Sequence, residues 1–198
     1  MNDSPSTTRL ERLPQRAPVP SPGLNGQLEA DYVAFLIDYP LLLRMVRASE
    51  PNGAPALAPM VQRACSFGRL LTARAYGAWY DADEATAAFT AGIEPVFVPP
   101  AGGGLVPSAT ALVADGLALL RGGRVSILVL SGDDRLFPLV AAARAQRTSV
   151  RLLAHACLDR GPCIPLADGV EPVSAFVRTP TRAEKYRRGS GASAQRSA

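Results

Sequence analysis

The chain has 198 residues, 47% of them hydrophobic, enough to close one core of ordinary domain size and too many for a chain disordered along its whole length. Its net charge of +4 is unevenly placed: Arg178, Arg182, Lys185, Arg187, Arg188 and Arg196 against Glu184 give residues 178–198 a charge of +5, so residues 1–177 sum to −1. The positive charge therefore marks a tail, read as solvated or as a nonspecific nucleic-acid tether, and no apolar run approaches the roughly 20 residues that span a bilayer.

Residues 1–28 hold five prolines among Ser, Thr and scattered charge and are expected to be a disordered leader, without the apolar core of a secretion signal. YVAFLID (32–38) has strand length and composition, and LLLRMVRA after it reads as a helix. The proline-rich PNGAPALAP (51–59) is expected to be an inserted loop before a second helix, PALAPMVQRACSFGRLLTA. ARAYGAWY (73–80) is the second expected strand, with Trp79 packing into the core. DEATAAFTAG follows as a helix with Asp83 as its N-cap and Gly92 at its C-cap. IEPVFVP (93–99) is the third strand.

AGGGLVPS (101–108) follows that strand and precedes a helix, PSATALVADGLALLRGG, whose C-cap is placed at Gly122. The glycines lack the G-K-[ST] ending of a phosphate-binding loop and read as a flexible connection or a weak contact for an RNA backbone. VSILVLS (125–131) is hydrophobic along nearly its whole length, the pattern of a central strand buried on both faces. Pro138 suits the first position of a helix, PLVAAARAQR. VRLLAHACL (150–158) closes the series. His155 and Cys157 within it have no third group to orient them for catalysis and read as structural. The three cysteines, Cys65, Cys157 and Cys163, contain no C-x-x-C pair and read as reduced thiols of a cytoplasmic protein.

Strands alternating with helices predict an α/β three-layer sandwich: a central parallel sheet of about five strands joined by right-handed crossovers and covered on both faces. In such sheets ligands bind beyond the carboxyl ends of the strands, where strand order reverses. The first strand ends in Asp38, and the fourth runs into SGDDR with Asp133, Asp134 and Arg135. Two strands delivering carboxylates to one edge can hold a hard cation such as Mg²⁺, which takes oxygen ligands and keeps several waters. Asp is equally at home in turns and caps, and the pattern alone leaves both readings open.

The stretches FLIDY (35–39), RAYGAWY (74–80), AGIEPVFVP (91–99), ALVADGLALL (111–120) and LVLSGDDRLFPLV (128–140), in this order, resemble NYN-domain proteins of the LabA-like group, relatives of the PIN-fold ribonucleases. The resemblance runs from about residue 31 to residue 177. It implies a domain over 29–177 between the leader and the basic tail at 178–198, and divalent-metal-dependent (Mg²⁺ or Mn²⁺) hydrolysis of RNA phosphodiesters. It makes Asp38 and Asp133 metal ligands, with Asp134 or Asp115 assisting. It also shows substitutions. The asparagine expected three residues after the first acid is Leu41, the lysine and aspartate expected at the start of the fourth helix are Val106 and Ala109, and Asp115 alone is kept there. The second acid and aromatic of the SGD motif are Arg135 and Leu136.

A guanidinium where a carboxylate would face the metal works against cation binding, so the activity is expected to be weak or lost. In an alternative geometry Asp134 turns inward as a further metal ligand, so that Asp38, Asp133, Asp134 and Asp115 are four acids around one edge, and Arg135 turns out to grip RNA phosphate. Two functions follow. One is a metal-dependent ribonuclease; the other is a catalytically inactive RNA-binding or regulatory module, homodimeric or bound to a protein partner. Neither involves a membrane.

Overall fold

A computed structural model describes residues 31–100, 107–154 and 161–179. The leader, the tail beyond Thr179, Val106, the glycines of AGGG, His155 and Cys157 lie outside them.

The chain runs β1 (Tyr32–Asp38), α1 (Tyr39–Ser49), β2 (Ala54–Pro55), α2 (Leu57–Cys65), β3 (Arg69–Gly77), α3 (Ala82–Thr90), β4 (Glu94–Phe97), α4 (Pro107–Arg121), β5 (Ile127–Ser131), α5 (Phe137–Ala145), β6 (Ser149–Ala154), β7 (Gly169–Pro172) and β8 (Val177–Arg178). Six strands form a parallel sheet in the order β4-β3-β1-β5-β6-β7, and β2 pairs with β8 as a separate antiparallel ribbon. This is an α/β fold with a central parallel sheet flanked by helices.

Side-chain alternation along β1 divides the core. Val33, Phe35 and Ile37 pack with Leu42, Met45 and Met60 of α1 and α2, whereas Ala34 and Leu36 pack with Leu112 of α4 and Leu139 and Val140 of α5. Both faces of β1 are therefore covered, as its uninterrupted apolar sequence requires. Strand order reverses beside β1: the chain moves outward to β3 and β4, then crosses by α4 to β5 on the other side. The carboxyl ends of β1 and β5 meet at that reversal.

Several expectations are corrected. The stretch FGRLLTA belongs to β3 rather than to a long second helix. Helix α2 stops at Cys65, and the backbone N–H of Arg69 donates to Asp31 O at 2.7 Å, which starts the parallel ladder with β1. Helix-favouring leucines are overridden there by pairing and burial. The same strand ends at Gly77, short of residue 80, because Trp79 takes a left-handed φ of +49°. The sixth strand, GVEP, is too short and too rich in Gly and Pro to stand out, properties suited to its place on the sheet edge. The expected loop 51–59 contributes β2 and the start of α2. Pairing of β2 with Val177–Arg178 extends the folded domain one residue past the expected boundary. Asp81, not Asp83, caps α3, and the left-handed residue after α4 is Gly123 rather than Gly122.

Candidate functional site

Asp38 ends β1 and caps α1. Its Oδ1 accepts the Leu41 backbone N–H at 3.3 Å, an ordinary cap, and also the Ser108 hydroxyl at 3.0 Å from the first turn of α4. The carboxyl is 1% exposed, and among the described residues its Oδ2 has no hydrogen-bond partner. Burial pushes the Asp38 carboxyl above the usual carboxylate range. The hydrogen bonds from Leu41 and Ser108 and the charge of Arg135 work against that rise without cancelling it.

Asp133 follows β5 and caps a single 3₁₀ turn, Asp134–Leu136. Its Oδ1 accepts the Arg135 backbone N–H at 3.1 Å and Arg135 Nε at 2.8 Å, while Arg135 Nη2 donates to Oδ2. The guanidinium thus covers both carboxylate oxygens in a fork. Burial alone would raise the Asp133 carboxyl; the hydrogen bonds and charge of Arg135, helped by the charge of Arg44, hold it below the usual range.

The turn is tight for a local reason. Leu136 folds back over Gly132, where no Cβ would fit, and is buried in the α4/α5 side of the core. That leucine stands where the resemblance expects an aromatic, and it seats the turn by ordinary core packing. Asp134 is exposed, and its carboxylate lies against the backbone of Gly161. The nearby Cys163 is buried among these acids, and its thiol is pushed up to about 11 by burial and by the charges of Asp134 and Asp133. The geometry is therefore the reverse of the one in which Asp134 turns inward and Arg135 outward.

Asp115 is held elsewhere. It lies seven residues after Ser108 on α4, about 10 Å further along the helix axis. It accepts the Tyr76 hydroxyl at 2.9 Å and Arg74 Nη1 at 3.2 Å, and Arg74 in turn donates to Glu94 at 2.7 Å. Burial and the Asp115 hydrogen bond raise the Tyr76 phenol, so Tyr76 is a neutral donor here. Asp115 belongs to a surface network that ties α4 to β3 and β4.

The structure thus brings together Asp38, Asp133 and Arg135, leaves Asp134 at the rim against Gly161, and keeps Asp115 apart. No group of three or more His, Cys, Asp or Glu side chains arranged to hold a metal occurs among the described residues. With both Asp133 oxygens covered by Arg135, the side chains as arranged do not fit a divalent ion. Ser108 escaped the sequence reading because a serine in a first helical turn reads as a cap. Its signal was its place beside Ala109, where the resemblance expects an acid. Leu41 contributes through its backbone N–H, which no side-chain pattern reveals.

A cleft of about 960 Å³ lies between the start of α2 and α3, walled by Leu57, Pro59, Asp81, Thr86 and Arg178. Tyr39, stacked on Trp79 with ring centroids 4.4 Å apart, also lines it. The cleft does not include the side chains of Asp38, Asp133 or Arg135 in its walls. No helix among the described residues is long and apolar enough to cross a membrane.

Comparison with known proteins finds no matching protein family and no matching curated protein. The fold is similar to the crystal structure of a protein of unknown function from Vibrio parahaemolyticus, with a TM-score of 0.64 and 16% identity over 75% of this chain and 97% of that one.

Proposed function

We propose that this protein is an RNA-binding or regulatory module built on an NYN-like fold, in which metal-dependent RNA hydrolysis is weak or lost. The observation that carries the reading is the fork of Arg135 on Asp133. The residue that the sequence resemblance makes a metal ligand has both oxygens engaged by a cation from its own turn. RNA as the ligand is supported by that resemblance and by the +5 charge of residues 178–198, which favours a polyanion at low salt.

A ribonuclease is the second reading, and one observation favours it. Asp38 keeps a buried oxygen without a partner among the described residues at the sheet's reversal point, a costly arrangement that an active site would justify. Purified full-length chain incubated with single-stranded RNA and Mn²⁺, beside Asp38→Asn and Asp133→Asn variants, separates the two. Intact RNA with binding that weakens steeply as salt rises supports the module. Cleavage that disappears in both variants supports the ribonuclease. Absence of both binding and cleavage rejects RNA as the ligand and leaves association with a protein.

A further inference from the structure

We infer that a cleft at the amino ends of β1, β3 and β5, walled by Arg69 and Arg124 at the edge of the sheet opposite Asp38 and Asp133, binds the backbone phosphates of single-stranded RNA. The inference rests on RNA as the ligand, and its experiment separates a failure of the cleft from a failure of that reading.

The cleft has a volume of about 830 Å³, with Asp31, Tyr32, Arg69, Arg124 and Ser126 in its walls. Pairing fixes its shape. Tyr32 opens β1 and stands opposite Arg69, the first residue of β3. On the other side the Tyr32 backbone N–H donates to Ser126 Oγ at 2.9 Å, and the Ser126 N–H donates to Tyr32 O at 3.0 Å, which fastens the segment entering β5. Neighbouring strands lie about 4.8 Å apart, so β3 and β5 are separated by roughly 10 Å, and Arg69 and Arg124 approach the cleft from either side of β1.

Charge sets this edge apart. The crossover helices α4 and α5 end at the amino edge, so Arg121 in the last turn of α4 and Arg147 just after α5 come out beside Arg69 and Arg124. All four arginines are exposed, and among the described residues none pairs with a carboxylate, that of Asp31 in the cleft wall included. They need break no ion pair before gripping a phosphate as forked donors. At the carboxyl edge Arg135 is committed to Asp133, and Asp134 is an exposed acid that repels phosphate.

Tyr32 makes the cleft more than a patch of charge. Its ring is half-buried, with the Arg69 guanidinium 5.8 Å from the ring centroid. Unpaired bases stack on aromatic rings and on guanidinium planes, so one wall offers both a phosphate grip and a platform for a base. That platform distinguishes a single strand of RNA from an acidic peptide of equal charge.

The test is fluorescence anisotropy of the full chain with a labelled single-stranded RNA across a salt series. The Arg69→Gln, Arg124→Gln double variant is expected to bind at least about tenfold more weakly than wild type at physiological salt. The slope of its log affinity against log salt is expected to flatten by about 1.4, the counterion release of two single-strand phosphate contacts. A tail control, Arg187→Gln, Arg188→Gln, removes the same charge and is expected to lose less than about threefold. The Arg69→Lys, Arg124→Lys variant keeps the charge and is expected to stay close to wild type. Thermal melts check that each variant is folded, and Arg124→Gln alone, outside any strand, gives half the change in slope if the double variant is not. Unlabelled polyglutamate of matched charge is expected to leave the RNA bound. The inference is overturned if the cleft and tail variants lose affinity alike, or if polyglutamate displaces the RNA, which points to an acidic protein partner. Absence of RNA binding by wild type rejects RNA as the ligand, and the cleft assignment with it.

Discussion

Replacing Asp38 by Asn tests whether a charge is held at the site against the interests of the fold. The substitution keeps an acceptor for Leu41 N–H and Ser108 and exchanges a buried unpartnered carboxylate oxygen for a neutral amide group. An unsatisfied buried polar atom costs about 1–3 kcal/mol, and more when it carries charge. Relieving the charged excess is expected to stabilise the chain by about 1–2 kcal/mol at neutral pH, or roughly 3–6 °C in Tm for a domain of this size. The sign depends on pH. Because the folded-state pKa of Asp38 is raised above its ordinary 3.8, the folded chain holds a proton where the unfolded chain has lost it. Stability therefore falls as pH rises from about 4 through the raised value, and the variant escapes that fall. Asp133, whose pKa is lowered, contributes in the opposite sense, losing its stabilisation as pH falls below about 4, outside the range above about 4 in which the two chains are expected to diverge. Circular dichroism melts of both chains from pH about 3.5 to neutral measure it. The reasoning is refuted if the variant melts at or below wild type at neutral pH, or if the difference does not change with pH.

Asp115→Asn is expected to cost about 1 kcal/mol in urea unfolding through its bonds to Tyr76 and Arg74, while RNA affinity stays at the wild-type value; a loss of affinity without loss of stability would return Asp115 to the site. Gly116→Ala, whose Cβ would lie 2.5 Å from Leu139 Cδ2 at the α4–α5 contact, is expected to destabilise by about 1–3 kcal/mol in the same assay. Arg147 sits exposed at φ +61° just after α5, where the Thr148 N–H reaches Ala143 O and a glycine is the usual occupant. Arg147→Gly is expected to raise stability by about 1 kcal/mol, read as a shift in the urea midpoint without a change in slope.

The layered fold was legible because its signals are strong and local. The apolar run of β1 and the near-continuous hydrophobicity of β5 can be satisfied only by burial on two faces, and the helices between them have the composition of covers. What escaped the sequence depends on partners far along the chain. The leucines of β3 read as helical until Arg69 is seen on Asp31 O, and β7 is a strand only because β6 lies beside it. The site divides in the same way. Asp38 and Asp133 could be placed because strand ends define the ligand edge, and Arg135 stood out as a cation among expected acids. Which way Arg135 turns follows from its fork on Asp133, two residues away, and Asp134 lies against Gly161 from a distant loop; neither contact has a sequence pattern. Asp115 matched by position but lies two helical turns from Ser108, where Tyr76 and Arg74 claim it.

The proposal is that Arg135 closes the edge that the sequence resemblance makes metal-binding and that the chain binds RNA without cleaving it. The most direct measurement is the affinity of the full chain for a labelled single-stranded RNA across a salt series, in EDTA and in Mn²⁺, with the RNA examined afterwards on a denaturing gel. The account predicts binding that is equal in EDTA and Mn²⁺, falls steeply with salt, and leaves the RNA intact. Mn²⁺-dependent cleavage abolished by Asp38→Asn and by Asp133→Asn would contradict it.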